Sequence, residues 1–207
     1  MARTSPRPGL DEATVLRAAA KIVDAEGWDA LTLARLASDL GVRTPSLYNH
    51  VSGLEGVRSG IATMGARELR DRLAGSVIGK SGDEAVFALA EAYRRFAREH
   101  PGLYAASLRA PRTDEPQYEQ ASTEILMIVH AILERYHLDD VAEVHAIRAL
   151  RSMLHGFISL ELAGGFGMPI NIEESFHALV RLLILGLDRA AHQNQARNGQ
   201  ETTDQES

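Results

Sequence analysis

The 207-residue sequence contains no cysteine. This excludes disulfides and thiolate metal sites and suits a reducing cytoplasm. No apolar run approaches the roughly 20 residues that a membrane-spanning helix needs, and the polar N-terminus, with its early prolines, has no hydrophobic signal core. Aromatic residues make up only 5% and proline occurs seven times. With abundant Ala, Leu, Arg and Glu, that composition favours an all-α fold. The Gly-x-Ser-x-Gly elbow, the P-loop and the dinucleotide-binding glycine pattern are all missing. Gly164, Gly165 and Gly167 follow no strand, so they do not suggest a phosphate cradle. The eight histidines form neither a His-x-x-x-His pair nor the His-Glu-x-x-His pattern of zinc hydrolases, and His130 and His137 stand two helical turns apart. The expectation is therefore a protein with no catalytic residue, no metal and no cofactor, and not an enzyme.

What is present is a core and an uneven charge. Hydrophobic residues account for 45% of the chain, enough for one large or two small domains. The net charge is −6, but residues 1–75 hold 10 Lys and Arg against 9 Asp and Glu, and the remainder holds 12 against 19. The acidity lies in the later part. The first part carries only a weak basic field, so phosphate attraction is modest and tight nucleic-acid binding needs two heads and specific contacts.

Residues 31–51 organise the first part. Thr32 is suited to cap a helix whose apolar stripe is Leu33, Leu36, Ala37 and Leu40. Gly41 fits the stop, where a left-handed residue is wanted. Val42 plugs the corner. Thr44 is suited to cap the next helix, with Pro45 at its first position, where the missing N–H costs nothing. Leu47 and Val51 face inward one turn apart, leaving Arg43, Thr44, Ser46, Tyr48, Asn49 and His50 outward. This pattern reads as a helix-turn-helix whose polar second helix fits the DNA major groove, or else as a helical hairpin whose polar face is merely solvated.

The pattern Leu36-Ala37, Leu40-Gly41-Val42, Pro45 and Leu47-Tyr48-Asn49-His50-Val51 resembles the DNA-binding domain of TetR-family transcriptional regulators, and the likeness extends back through Gly27 and the helix before it. Further on, His100-Pro101-Gly102-Leu103-Tyr104 and Leu154-His155-Gly156-Phe157 resemble the TetR subgroup whose C-terminal domain carries a Trp-His-Gly signature, with Leu154 standing in place of the Trp. By matched position, the resemblance implies that Arg43, Thr44, Pro45, Ser46 and Asn49 meet base edges and that Thr32, Tyr48 and His50 meet phosphates. Ala34 and Leu54 replace a long polar side chain and a lysine that some relatives use on DNA, so those two contacts are absent.

The rest of the chain reads as helices in series. Residues 1–9 form a short basic arm with Arg3 and Arg7, either a frayed terminus or a minor-groove or phosphate arm. Helical patterns cover residues 11–26, with Trp28 at the following corner, then a long fourth helix, 83–99, a short helix around Leu103 to Leu108, 117–136, 140–162 and 172–192. Gly75, Gly79, Ser81 and Gly82 suggest a loop. Residues 193–207 are polar and suggest a disordered tail. The domain reading is an arm at 1–9, a helix-turn-helix domain at 10–55, a helical regulatory, ligand-binding and dimerisation domain at 56–192, and the tail: about nine helices in all.

Tyr93, Phe96, Tyr104, Ser107, His155 and Phe157 are the candidates for a ligand pocket between helices. The last helix is apolar nearly all round from Leu182 to Leu187, so it is buried on more than one side. Phe176, Val180, Leu183 and Leu187 are the candidates for a dimer interface. The resemblance implies a cytoplasmic homodimeric repressor, paired through its eighth and ninth helices. It would bind a palindromic double-stranded operator, with release by a small-molecule effector and no membrane partner. An activator, or a helical binding or enzymatic domain with an accessory DNA head, are the alternatives.

Overall fold

A computed structural model of the chain describes residues 10–205, and the basic arm expected over residues 1–9 lies outside them. Among the described residues there are nine α-helices and no strand. They are α1 (Glu12–Glu26), α2 (Leu33–Leu40), α3 (Thr44–Leu47), α4 (Gly53–Val77), α5 (Gly82–Glu99), α6 (Pro101–Ala106), α7 (Pro116–Leu133), α8 (Asp140–Leu162) and α9 (Ile172–Gln205). No helix among the described residues is long and apolar enough to cross a membrane.

The chain divides into two compact units differently from the linear split read from sequence. One unit ends its first stretch at Arg67 and takes in Glu99–Glu119; the other comprises Glu68–Arg98 and the chain from Gln120. Gly75, expected in a loop, lies inside α4. One glycine costs a helix interior only about 1 kcal/mol relative to alanine, which the packing of flanking Leu69 and Leu73 offsets.

In the first unit, Asp11 caps α1 by accepting from the Thr14 N–H at 2.7 Å. The same bonding to Thr14 holds the Asp11 carboxyl below its ordinary value. Val15, Ala19, Ile22 and Val23 form the buried face of α1, which packs on α2 and α6. The α6 contact is unusually close. Asp24 of α1 accepts from the backbone N–H groups of Gly102 (2.8 Å) and Leu103 (3.0 Å), and its second oxygen lies 3.0 Å from His100 Nδ1. A Cβ on residue 102 would stand 2.5 Å from the Val23 carbonyl carbon, where backbone cannot yield as a flexible side chain would. Gly102→Ala is therefore expected to push α6 off α1 at a cost of about 1–3 kcal/mol, read as a lowered urea midpoint.

The segment after α6 is tied down by Glu115, only 6% exposed. Its carboxylate accepts from Ser59 Oγ of α4 and from Arg109 Nη2, each at 2.6 Å, and from the Arg112 N–H at 3.2 Å. The Arg109 bond, against the opposing effect of burial and with help from Ser59, holds the Glu115 carboxyl at about 2, well below the ordinary 4.5. A lowered folded value means that the stabilisation is whole above the ordinary carboxylate range and is lost as pH falls toward 2. Wild type should therefore lose stability between about pH 5 and pH 3 more steeply than Glu115→Gln, as measured by urea unfolding at each pH.

The second unit is centred on a buried cation. Arg94 of α5, 3% exposed, donates to both oxygens of Glu161 on α8 at 2.8 Å and to Glu173 on α9 at 2.7 Å. Its guanidinium lies 4.5 Å over the ring of Phe176 and 5.8 Å over that of Phe157.

Two expectations meet a different arrangement in the structure. The helix read as ending at 192 continues to Gln205, across residues expected to form a disordered tail. A polar composition argues against burying a core. It does not prevent Gln, Ala, Arg and Glu from extending a helix that is already nucleated. Phe176, Val180, Leu183 and Leu187, expected at a dimer interface, are all buried within the single chain. Their four-three-four spacing makes one stripe, and their own chain covers it. The large exposed apolar residues of α9, among the described residues, are instead Leu182 and Leu185, each 64% exposed.

Candidate nucleic-acid interface

The corner between α2 and α3 is built from local chemistry. Thr32 accepts from the Arg35 N–H at 3.1 Å and caps α2. Gly41 adopts φ 67°, ψ 32°, and the N–H groups of Gly41 and Val42 return to the carbonyls of Ser38 (3.1 Å) and Ala37 (3.0 Å). The last turn of α2 is thereby satisfied without a side chain. The next helix begins one residue earlier than its sequence suggests. Arg43 occupies the extended cap position, and its carbonyl accepts the first turn's bond from the Ser46 N–H at 2.9 Å.

Leu36, Ala37, Leu47 and Val51 are buried and hold the two helices together. That anchorage turns the polar side chains outward. Arg43, Pro45, Tyr48 and Asn49 are exposed, and Thr44, Ser46 and His50 are half-buried on the same short segment. The five base-edge candidates, Arg43, Thr44, Pro45, Ser46 and Asn49, are thus brought together on α3 and the turn after it. Of the phosphate candidates, Tyr48 and His50 share that segment and Thr32 stands exposed at the start of α2. The Thr32 oxygen accepts the capping bond, which leaves its O–H hydrogen able to donate to a phosphate oxygen.

The two arginines of this region are not equivalent. Arg35 is held by Glu26 and Asp39 at 2.8–3.2 Å, and these bonds keep its guanidinium above its ordinary value. Arg43 makes no ion pair among the described residues. Arg43 is the cation of this corner that is available to a base or a phosphate without first breaking an internal bond.

The ligand-pocket candidates are not gathered in the same way. Tyr104 and Ser107 belong to the first compact unit, and Tyr93, Phe96, His155 and Phe157 to the second. Tyr93, Phe96 and Tyr104 are buried. Ser107 Oγ donates to the Tyr104 carbonyl at 2.9 Å, and Ser159 Oγ lies 3.4 Å from the His155 ring nitrogens. Phe157 packs against Phe166 and Phe176, with centroids 4.8 and 5.2 Å apart, so it serves the aromatic core around Arg94. Leu154, at the place of the signature Trp, is buried, and Gly156 is exposed with nothing near its α-carbon on the side a Cβ would take. Sequence reasoning missed the Asp24, Glu115 and Arg94 networks. Each joins residues more than 50 positions apart or lies in an irregular segment, and no periodic pattern marks such pairs.

Comparison with known proteins follows the same lines. Residues 86–183 match the family model for the tetracyclin repressor-like C-terminal domain, a description that makes no reference to the Trp-His-Gly signature. The HTH-type transcriptional regulator YobS of Bacillus subtilis is 39% identical over 184 residues, spanning 88% of this chain and 95% of that protein. An HTH-type transcriptional regulator of Mycobacterium tuberculosis is 36% identical over 181 residues, spanning 87% and 83%. Among solved structures, a TetR variant from Acinetobacter baumannii in complex with minocycline superposes with a TM-score of 0.66 at 21% identity, over 87% of this chain and 97% of that one. At that identity the likeness establishes the fold.

Proposed function

This chain belongs to the TetR family of transcriptional regulators, and from that premise we propose that it is a homodimeric repressor released from a palindromic operator by a small-molecule effector. It is a DNA-binding transcriptional regulator, acting by binding rather than by catalysis, in the cytoplasm. The observation that carries the reading is the α2–α3 corner, where buried Leu36, Leu47 and Val51 leave Arg43, Thr44, Pro45, Ser46 and Asn49 exposed or half-buried together on one short segment.

A single head with so little net charge binds weakly, so affinity depends on presenting two heads together. Two outward stripes support the pairing. On α8 they are Val141, His145, Ala149, Ser152, Gly156 and Leu160; on α9 they are Ala178, Leu182, Leu185 and Arg189. Both recur at helical spacing, and on α8 the small residues Ala149, Ser152 and Gly156 let a second helix approach closely. A two-fold dimer through these faces reads a two-fold DNA site. The effector is read by analogy with the minocycline-bound relative. It would bind better to a conformation whose heads are wrongly spaced, and its differential affinity then sets the fraction of protein left on DNA.

Arg43→Ala tests the interface. It should weaken operator binding by about 1–3 kcal/mol and relax specificity at one base pair per half-site, as measured by fluorescence anisotropy over single-base operator variants. An equal loss on every sequence assigns Arg43 to a phosphate instead.

A further inference from the structure

Three side chains able to ligate a metal converge within the second unit. Glu173 and His177 stand four residues apart on one face of α9, and Glu91 faces them from α5. His177 Nε2 lies 2.8 Å from Glu91 Oε1 and 3.3 Å from Glu173 Oε1. The three donor atoms all lie within 4.8 Å of one another, the one such His, Asp or Glu triple among the described residues. Bonds of about 2.0–2.2 Å to a tetrahedral cation place its ligand atoms roughly 3.3 Å apart, which is the His177–Glu173 separation of 3.3 Å; Glu91, hydrogen-bonded to His177 at 2.8 Å, has to draw back by roughly half an ångström to admit the cation.

The cluster has an outer shell. Glu173 Oε2 receives Arg94 Nη1 at 2.7 Å, and Arg94 is fixed in turn by both oxygens of Glu161. That bonding turns the other Glu173 oxygen, Oε1, toward His177. The His177 ring stands edge-on to Phe87 at 6.1 Å and tilted to Phe176 at 6.5 Å, which restrains its orientation. Carboxylates and imidazoles held from behind in this way are what metal sites use to orient their ligands. Glu173 and His177 are 48% and 39% exposed at their side chains, so a cation has access from solvent.

We propose that Glu91, Glu173 and His177 bind one divalent first-row transition-metal cation, fastening the start of α9 to α5. One imidazole nitrogen with two carboxylate oxygens, and water completing the shell, suits Zn2+. A hard cation such as Mg2+, which favours oxygen ligands and keeps its own waters, is poorly served.

The test is calorimetric titration of the metal-free full chain with Zn2+ and, separately, with Mg2+. The same is done for His177→Gln, for Glu91→Gln, and for His130→Gln, which alters another carboxylate-paired histidine. Thermal unfolding without metal establishes that each variant is folded. Wild type and His130→Gln should each take up one Zn2+ per chain and no Mg2+. His177→Gln and Glu91→Gln should each bind Zn2+ at least about tenfold more weakly, since even an outer-shell loss costs 10–100-fold. Added Zn2+ should also raise the unfolding temperature of wild type but not of His177→Gln. No saturable Zn2+ uptake by wild type, or equal uptake by all four proteins, overturns the proposal. Neither result bears on DNA binding, whose residues lie in the other unit.

Discussion

Leu182→Glu combined with Leu185→Glu is expected to turn the protein into a monomer and to abolish operator binding at concentrations where wild type saturates. Both side chains are 64% exposed on α9. Burying a leucine fully contributes about 1.5–3 kcal/mol, and a two-fold interface buries each of the two positions twice. Half of that contribution across four side chains already amounts to several kcal/mol, and two like charges facing their copies add to the loss. Each 1.4 kcal/mol is tenfold in affinity, so the dimer dissociation constant should rise by about a thousandfold or more. Sedimentation velocity reads the association state and anisotropy reads the DNA binding. Because the substituted residues are exposed in the single chain, the helix content of the variant should match wild type. A variant that stays dimeric would move the interface elsewhere, with exposed Leu126 and Met127 of α7 the next face to alter.

Arg94→Ala is expected to cost about 3–5 kcal/mol of unfolding free energy, because it removes the partner that bonds both oxygens of buried Glu161 and leaves only the exposed Arg98, 4.0 Å away, beside it. The Glu161 side chain is 13% exposed and accepts from Arg94 through both oxygens. Bonding to Arg94 also holds its carboxyl below the ordinary value. Phe176 and Phe157 would lose the cation over their rings. Replacing the pair together, Arg94→Met with Glu161→Leu, should recover most of the loss, since no charge is then left buried alone. Urea denaturation of wild type, the single variant and the double variant separates the two results. A loss below about 1 kcal/mol for Arg94→Ala would mean that water, or Arg98 from 4.0 Å away, replaces the guanidinium at Glu161.

The α2–α3 corner was legible in the sequence because its determinants are local. A threonine cap, an apolar stripe, a left-handed glycine and an early proline lie within a few residues of the groups they satisfy, and the structure moves only the second cap, from Thr44 to Arg43. The length of α9 was less legible, because polarity reports the lack of a core rather than the lack of a helix. Its faces were ambiguous for another reason. From Val180 to Leu187 nearly every position is apolar, and periodicity alone does not say which stripe the chain covers itself. Packing divides them, with Val180, Leu183, Ile184 and Leu187 inside and Leu182 and Leu185 outside. The place of α6 beside α1 depends on Asp24 reaching backbone N–H groups 78 and 79 residues away, a contact that leaves no repeat in the sequence. A search for paired histidines likewise passes over Glu173 and His177, whose partner Glu91 comes from another helix.

The most direct test is selection by the purified protein from random-sequence DNA duplexes, followed by titration of the recovered duplex and its scrambled counterpart across salt. The expected result is an enriched motif with two-fold symmetry and two chains bound per duplex. A preference over the scrambled duplex should also persist as salt rises, because base-edge contacts, unlike phosphate attraction, carry the discrimination. No enriched motif, with equal and steeply salt-dependent binding to both duplexes, would contradict sequence-specific binding.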